Sequence, residues 1–201
     1  MKNFSQKFYH FIYWPLRVIF ALKHPVLRLH GRENLPEGPA VVCCNHSAFS
    51  DPIWVILALH PKRIFRTMAK KELFGHKVLG WLITKVGAFP VDRQSSDINA
   101  VKTSRQSLKS GDKLLIFPEG TRIRKGKVSQ PHGGAVMIAA RMGVPVVPVY
   151  LSTDKRLWRP LDVVVGQAYE PSPAERRVSN DELERLTNEM MQRIYSLKET
   201  L

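Results

Sequence analysis

Two rhythms of apolar residues alternate along the chain. Short, almost wholly apolar runs at 26–30, 40–44, 64–68, 113–117, 146–151 and 162–165 read as strands, most of them covered on both faces. Between them the apolar positions recur at helical spacing. A helix is predicted at 52–60, with Pro52 in its first turn and Asp51 as its N-cap. A second carries Ile98, Val101 and Leu108 on one face and stops near Gly111, and a third runs over 133–142 to Gly143. The last follows Ser179 and Glu182, spaced as a capping box ahead of Leu183, Leu186, Met190, Ile194 and Leu197, and is expected to serve packing alone. Strands and helices in this order define an α/β fold, a mainly parallel or mixed central sheet flanked by helices. Two prolines, Pro145 and Pro148, fall in the 144–149 run and predict an edge or a bulge there.

The N-terminus breaks this pattern. Residues 8–22, FYHFIYWPLRVIFAL, are aromatic and aliphatic but interrupted by His10, Pro15 and Arg17. A spanning helix needs about 20 apolar residues, and no small-residue cleavage site follows this stretch. Phe4, Phe8, Phe11, Ile12, Leu16 and Ile19 recur at helical spacing, with Lys2, Lys7, Arg17 and Lys23 nearby and Tyr9, Tyr13 and Trp14 suited to an interface. That mixture predicts a helix lying in the headgroup layer of an anionic membrane surface, kinked or split at Pro15. The chain therefore divides into a membrane-associating segment, 1–24, and an α/β domain, 25–201.

Composition adds limits. With 44% hydrophobic and 24% charged residues the chain can bury a core and is not a disordered one. Cys43 and Cys44 are adjacent and point to opposite faces of a strand, so they predict no mutual disulfide and agree with a reducing compartment. The net charge of +14 is uneven: residues 1–50 hold six Lys/Arg and two Asp/Glu, residues 51–130 sixteen and six, and residues 131–201 nine of each. An anion is thus expected to be handled in the middle of the chain. A nucleic-acid module would interleave basic residues with exposed aromatics, whereas the aromatics here concentrate at the N-terminus, so no nucleic acid is expected as partner. The histidines are scattered and predict no metal set.

Unusual residues lie where strands end, which is where open α/β sheets bind ligands. Residues 45–51, NHSAFSD, leave an apolar strand and enter a helix. His46 at such a rim is suited to proton transfer if Asp51 fixes its tautomer with one carboxylate oxygen while the other caps the helix. Residues 117–122, FPEGTR, follow another apolar strand. Gly120 permits close backbone approach and Arg122 offers a planar fork for phosphate or carboxylate, while Glu119 suits either a substrate hydroxyl or Arg122 itself. Residues 87–93, GAFPVDR, bring Arg93 to a turn, and Lys70 is a further candidate for an anionic substrate.

Taken in order, NHSAFSD, GAFPVDR, FPEGTR and VPVVPV resemble the four motifs of the glycerolipid acyltransferase family, particularly the short bacterial 1-acyl-glycerol-3-phosphate acyltransferases. The likeness runs from about residue 25 to residue 151. It implies that His46 is the general base and Asp51 its partner, and that Glu119, Gly120 and Arg122 with Arg93 form the glycerol-phosphate side, where Thr121 and Lys70 are further substrate-binding candidates. It also places Val144, Pro145, Val146 and Pro148 on the acyl-donor side. The implied reaction moves a fatty acyl group from acyl-CoA or acyl carrier protein to the sn-2 hydroxyl of lysophosphatidic acid, with no cofactor, at the cytoplasmic face of the membrane. Glycerol 3-phosphate or another lysophospholipid is the alternative acceptor, and Cys44 as an acyl-carrying nucleophile the less favoured mechanism. The segment 152–201 matches no motif.

Overall fold

The computed structural model describes residues 4–59, 64–92, 97–123, 130–171 and 178–201. Within them lie strands β1 (Leu27–His30), β2 (Val41–Cys44), β3 (Phe65–Lys70), β4 (Ala88–Val91), β5 (Lys113–Ile116), β6 (Val146–Leu151) and β7 (Leu161–Val165). They form one sheet in the order β1-β7-β6-β2-β5-β3-β4, with every neighbouring pair parallel except β6 and β7. The helices are α1 (Gln6–Lys23), α2 (Asp51–Leu59), α3 (Lys77–Lys85), α4 (Ile98–Lys109), α5 (Gly134–Met142) and α6 (Asn180–Ser196).

Every residue of β2, β5 and β6 is buried, which is why these strands read as unbroken apolar runs. Alternation sends Val41 and Cys43 to one face and Val42 and Cys44 to the other. On the first face they meet Ala135, Ile138, Met190 and Ile194 of α5 and α6, with α4 alongside. The second face packs on Trp54, Val55 and Leu59 of α2 and on Phe20 of α1. The two cysteines are free, as their opposite directions predict. Burying each large aliphatic or aromatic side chain contributes about 1.5–3 kcal/mol, so the two layers lock the sheet from both sides.

Several expectations change. Pro148 lies in the interior strand β6, not at an edge or bulge: it pairs with Cys43, and its carbonyl accepts from Gly166 N on the β7 side. Its missing N–H falls on that same side, where the β7 ladder has already ended at the Val149 and Val165 pair. Pro90 is the strand proline at a sheet edge, in β4, a strand the turn-like GAFPV segment concealed. In α4 the buried face is Ala100, Ser104, Ser107 and Leu108, while Ile98 is 77% exposed. The serines can be buried because Ser104 and Ser107 donate to the carbonyls of Ala100 and Thr103. Asp97 caps this helix through Ala100 N, and Ser179 caps α6 through Glu182 N.

Helix α1 continues across Pro15 without splitting. Pro15 and Phe11, whose carbonyl loses its helical donor, both lie on the exposed side, where solvent can supply the bond. Tyr9 and Tyr13 do not serve an interface: Tyr9 is buried and its hydroxyl accepts from Phe65 N, while the Tyr13 hydroxyl donates to the Leu57 carbonyl. The exposed face of α1 is Phe11, Trp14, Val18, Ile19 and Leu22. Helix α3 adds exposed Val78 and Trp81, and the Trp81 ring meets Phe8 of α1 edge-on at 5.5 Å. No described helix is long and apolar enough to cross a membrane.

Candidate active site

Where β2 ends, Asn45 extends its ladder with a side chain. Asn45 Nδ2 donates to the Leu151 carbonyl at 2.9 Å and Oδ1 accepts from Leu151 N at 2.8 Å, so the buried amide mimics one more strand pair. This pins the next residue, His46, at the rim. Helix α2 starts five residues on, and the Asp51 side chain turns back into the loop. Asp51 Oδ2 accepts from His46 Nδ1 at 2.9 Å, Ser47 N at 2.6 Å and Ala48 N at 2.7 Å. Oδ1 does not cap α2, as the sequence suggested. It pairs instead with Lys155 Nζ at 2.9 Å.

Asp51 is fully buried, and burial alone would push its carboxyl up. The hydrogen bond from His46, the Lys155 charge and the Ala48 N–H outweigh that and hold it below the usual aspartate range. A carboxylate that accepts Nδ1–H leaves Nε2 as the basic nitrogen. The His46 side chain is 14% exposed and faces a cavity.

The second motif comes off β5 beside it. Glu119 Oε2 accepts from His46 N at 2.8 Å, and the Tyr195 hydroxyl of α6 donates a short hydrogen bond to Oε1. Burial raises the Glu119 carboxyl above its ordinary value, only partly offset by the Tyr195 hydroxyl and the His46 N–H. Ile123 N donates to the His46 carbonyl at 2.8 Å, and the Phe117 ring lies 4.4 Å from the imidazole. Gly120 adopts φ +64°, and a methyl group there would strike the His132 ring. The two motifs are thus tied through backbone and side chain into one unit.

They share a cavity of about 400 Å³, whose wall is mostly apolar. His46, Lys70, Gly120 and His132 supply polar lining, and Met68 and Ile138 belong to the aliphatic part. Lys70, half exposed, pairs with Glu72 at 3.1 Å. Thr121 and Arg122 are exposed and follow directly on Gly120, outside the cavity lining. Arg93 lies outside the described residues. Val144, Pro145, Val146 and Pro148 do not line the cavity; Val144 and Val146 belong to the core beneath α5 and α6. Cys44 is fully buried and outside the cavity lining, and burial pushes its thiol well above the ordinary value, which speaks against the acyl-carrying nucleophile.

Three contributors escaped the sequence reading: Lys155, Tyr195 and His132. The first two lie in the segment without motifs, and a lone Lys or a helical Tyr carries no spacing signal. Among the described residues no three His, Cys, Asp or Glu side chains converge on a metal position.

An imidazole oriented by a buried carboxylate can take a proton from a hydroxyl, and an apolar cavity beside it suits an aliphatic chain; joined on one α/β sheet, these are the parts of an enzyme that esterifies a hydroxyl with an acyl group. The chain belongs to the acyltransferase family, whose model, described as Acyltransferase, matches residues 26–152. The 1-acyl-sn-glycerol-3-phosphate acyltransferase of Bacillus subtilis (strain 168) is 33% identical over 192 residues, 92% of this chain and 94% of the relative. The chloroplastic LPAT1 of Arabidopsis thaliana, also a 1-acyl-sn-glycerol-3-phosphate acyltransferase, is 34% identical over 152 residues, 74% of this chain but 42% of the longer relative. The crystal structure of the 1-acyl-sn-glycerophosphate (LPA) acyltransferase PlsC from Thermotoga maritima matches with TM-score 0.68 at 23% identity, over 97% of this chain and 82% of that one. It shares the fold.

Proposed function

We propose that this acyltransferase moves a fatty acyl group from acyl-CoA or acyl carrier protein to the sn-2 hydroxyl of 1-acyl-glycerol-3-phosphate, giving phosphatidic acid. The observation that carries this reading is His46, held through Nδ1 by Asp51 and lining an apolar cavity beside Gly120 and Lys70. His46 Nε2 takes the proton of the acceptor hydroxyl as its oxygen attacks the thioester carbonyl carbon. The tetrahedral intermediate then collapses, the C–S bond breaks, and the imidazolium returns the proton to the departing thiolate. No acyl-enzyme forms.

Acceptor and donor are both anionic, which agrees with the net charge of +14 and with Lys70, Arg93 and Arg122 as phosphate partners. The joint apolar face of α1 and α3 supports a peripheral seat in the cytoplasmic leaflet, with Trp14 and Trp81 in the headgroup layer. No cofactor takes part in this scheme. The test is product analysis by mass spectrometry with lysophosphatidate and each thioester, joined to a single-turnover run with donor alone. Phosphatidate with no acylated protein is the expected result. Acyl-protein accumulating before acceptor is added would overturn direct transfer, and a product formed only with another acceptor would overturn the choice of lysophosphatidate.

A further inference from the structure

The loop after β6 sends Lys155 back beneath the His46 and Asp51 pair, from a part of the chain with no motif. It donates hydrogen bonds to Ser47 Oγ at 2.5 Å and the Ser152 carbonyl at 3.0 Å, and its ammonium forms an ion pair with Asp51 Oδ1 at 2.9 Å. The loop itself is anchored, since Ser152 N and Oγ both donate to the Asp162 carbonyl of β7. Lys155 is only 14% exposed and lies outside the cavity lining. A lysine so engaged and so placed does not reach a substrate phosphate in the cavity.

Charge explains its position. A base must be neutral before it acts, yet a buried carboxylate against Nδ1 draws a proton onto the imidazole and favours the charged pair. An ammonium on the far oxygen of the same carboxylate cancels that pull. We propose that Lys155 is a positioning residue for acyl transfer, which neutralises Asp51 from the side away from His46 and so keeps the imidazole free to accept the proton of the acceptor hydroxyl. The proposal rests on the reading of His46 as the base. The titratable groups packed around the imidazole are Asp51 from α2, Glu119 from the loop after β5 with Tyr195 behind it, and Cys44 beneath; Lys70, Asp92, Asp97 and His132 stand around the cavity. Beside them, Lys155 is a cation in direct contact with the Asp51 carboxylate. The Asp51 carboxyl, held low against the effect of its burial, agrees with that contact.

The test is the titration of the His46 imidazole by NMR in the parent, Lys155→Met and Lys155→Arg, set beside the pH profile of kcat/KM for thiol release with lysophosphatidate and an acyl thioester. Removing a cation near the Asp51 and His46 pair is expected to raise the His46 midpoint by about one pH unit, a roughly tenfold change in proton affinity. The acid limb of kcat/KM in Lys155→Met moves up with it and activity recovers toward alkaline pH, while Lys155→Arg stays close to the parent. Lys155→Gln, which keeps a donor for Ser47 but no charge, gives the same reading if the Met side chain is not accommodated. A His46 midpoint unchanged in the uncharged variants overturns the proposal, as does a loss of kcat/KM equal at every pH. The titration decides the charge coupling without substrate. A parent with no thiol release at any pH would instead overturn the assignment of the reaction.

Discussion

Replacing Tyr195 by Phe deletes one oxygen and leaves the ring that lies 6.5 Å from Tyr150. The lost hydroxyl donates to Glu119, a carboxylate only 2% exposed whose other oxygen holds the His46 N–H. Hydrogen bonds to charged groups contribute about 1.5–3 kcal/mol. Tyr195 itself is 42% exposed, so water can take over part of its role and the lower end applies. At about 1.5 kcal/mol the loss amounts to roughly tenfold in an equilibrium or rate constant. In a chain of 201 residues it corresponds to a melting temperature lower by about 3–6 °C. The deficit has a direction in pH. Burial already raises the Glu119 carboxyl, and losing a donor raises it further. A carboxyl raised on folding contributes stability that is full below its unfolded value and lost as pH rises through the folded one, so Tyr195→Phe falls further behind the parent as pH rises. Scanning calorimetry from the ordinary glutamate range, about pH 4.3, upward, with thiol-release kinetics on the same samples, checks both parts. Parent-like melting and kcat/KM at every pH would refute the claim that α6 holds the Glu119 loop.

Three further expectations follow from the same geometry. Gly120→Ala forces a methyl into the left-handed region, at about 1–2 kcal/mol, and into the His132 ring, at about 1–3 kcal/mol more; melting and activity should both fall, and an unchanged melting curve would contradict the loop geometry. Asp51→Asn should lower kcat by about three to four orders of magnitude through loss of the His46 tautomer. Because the Asp51 carboxyl is lowered on folding, its stability contribution is full above the ordinary aspartate value of about 3.9 and lost as pH falls through the native one. Denaturant titrations in acid should therefore find the gap between parent and Asp51→Asn closing as pH drops, and a constant gap would refute the charge argument. Replacing Phe11, Trp14 and Trp81 together by Ser should abolish flotation with anionic vesicles, each side chain supplying up to about 1.5–3 kcal/mol of apolar burial; undiminished flotation would place the membrane surface elsewhere.

How far the chain could be read in advance depended on where its signals were local. The strands at 146–151 and 113–116 and the helix ending at Gly143 stand almost where their apolar runs and stop signals put them, because both faces of those strands are covered. Strand β4 was hidden by its Pro90, which an edge tolerates, and by Gly87 just before it, and α3 by an amphipathic face turned to the exterior. The His46 and Asp51 contact was legible because strand, turn and helix lie within six residues. Lys155 and Tyr195 were not, since their partners Asp51 and Glu119 are 104 and 76 positions away and only the tertiary fold joins them. Asp51 was expected to divide its oxygens between histidine and helix; instead Oδ2 takes the loop N–H groups of Ser47 and Ala48 together with the histidine, and Lys155 takes Oδ1, the oxygen expected at the helix.

The central claim is that the nitrogen of His46 turned to the cavity removes the acceptor's proton. Thiol release from an acyl thioester, measured with lysophosphatidate for the parent and for His46→Ala at matched melting temperature, tests it most directly. Removing the base should lower kcat/KM by at least about 10²–10⁴-fold while the fold persists. A His46→Ala protein that releases thiol at the parent rate would contradict the account.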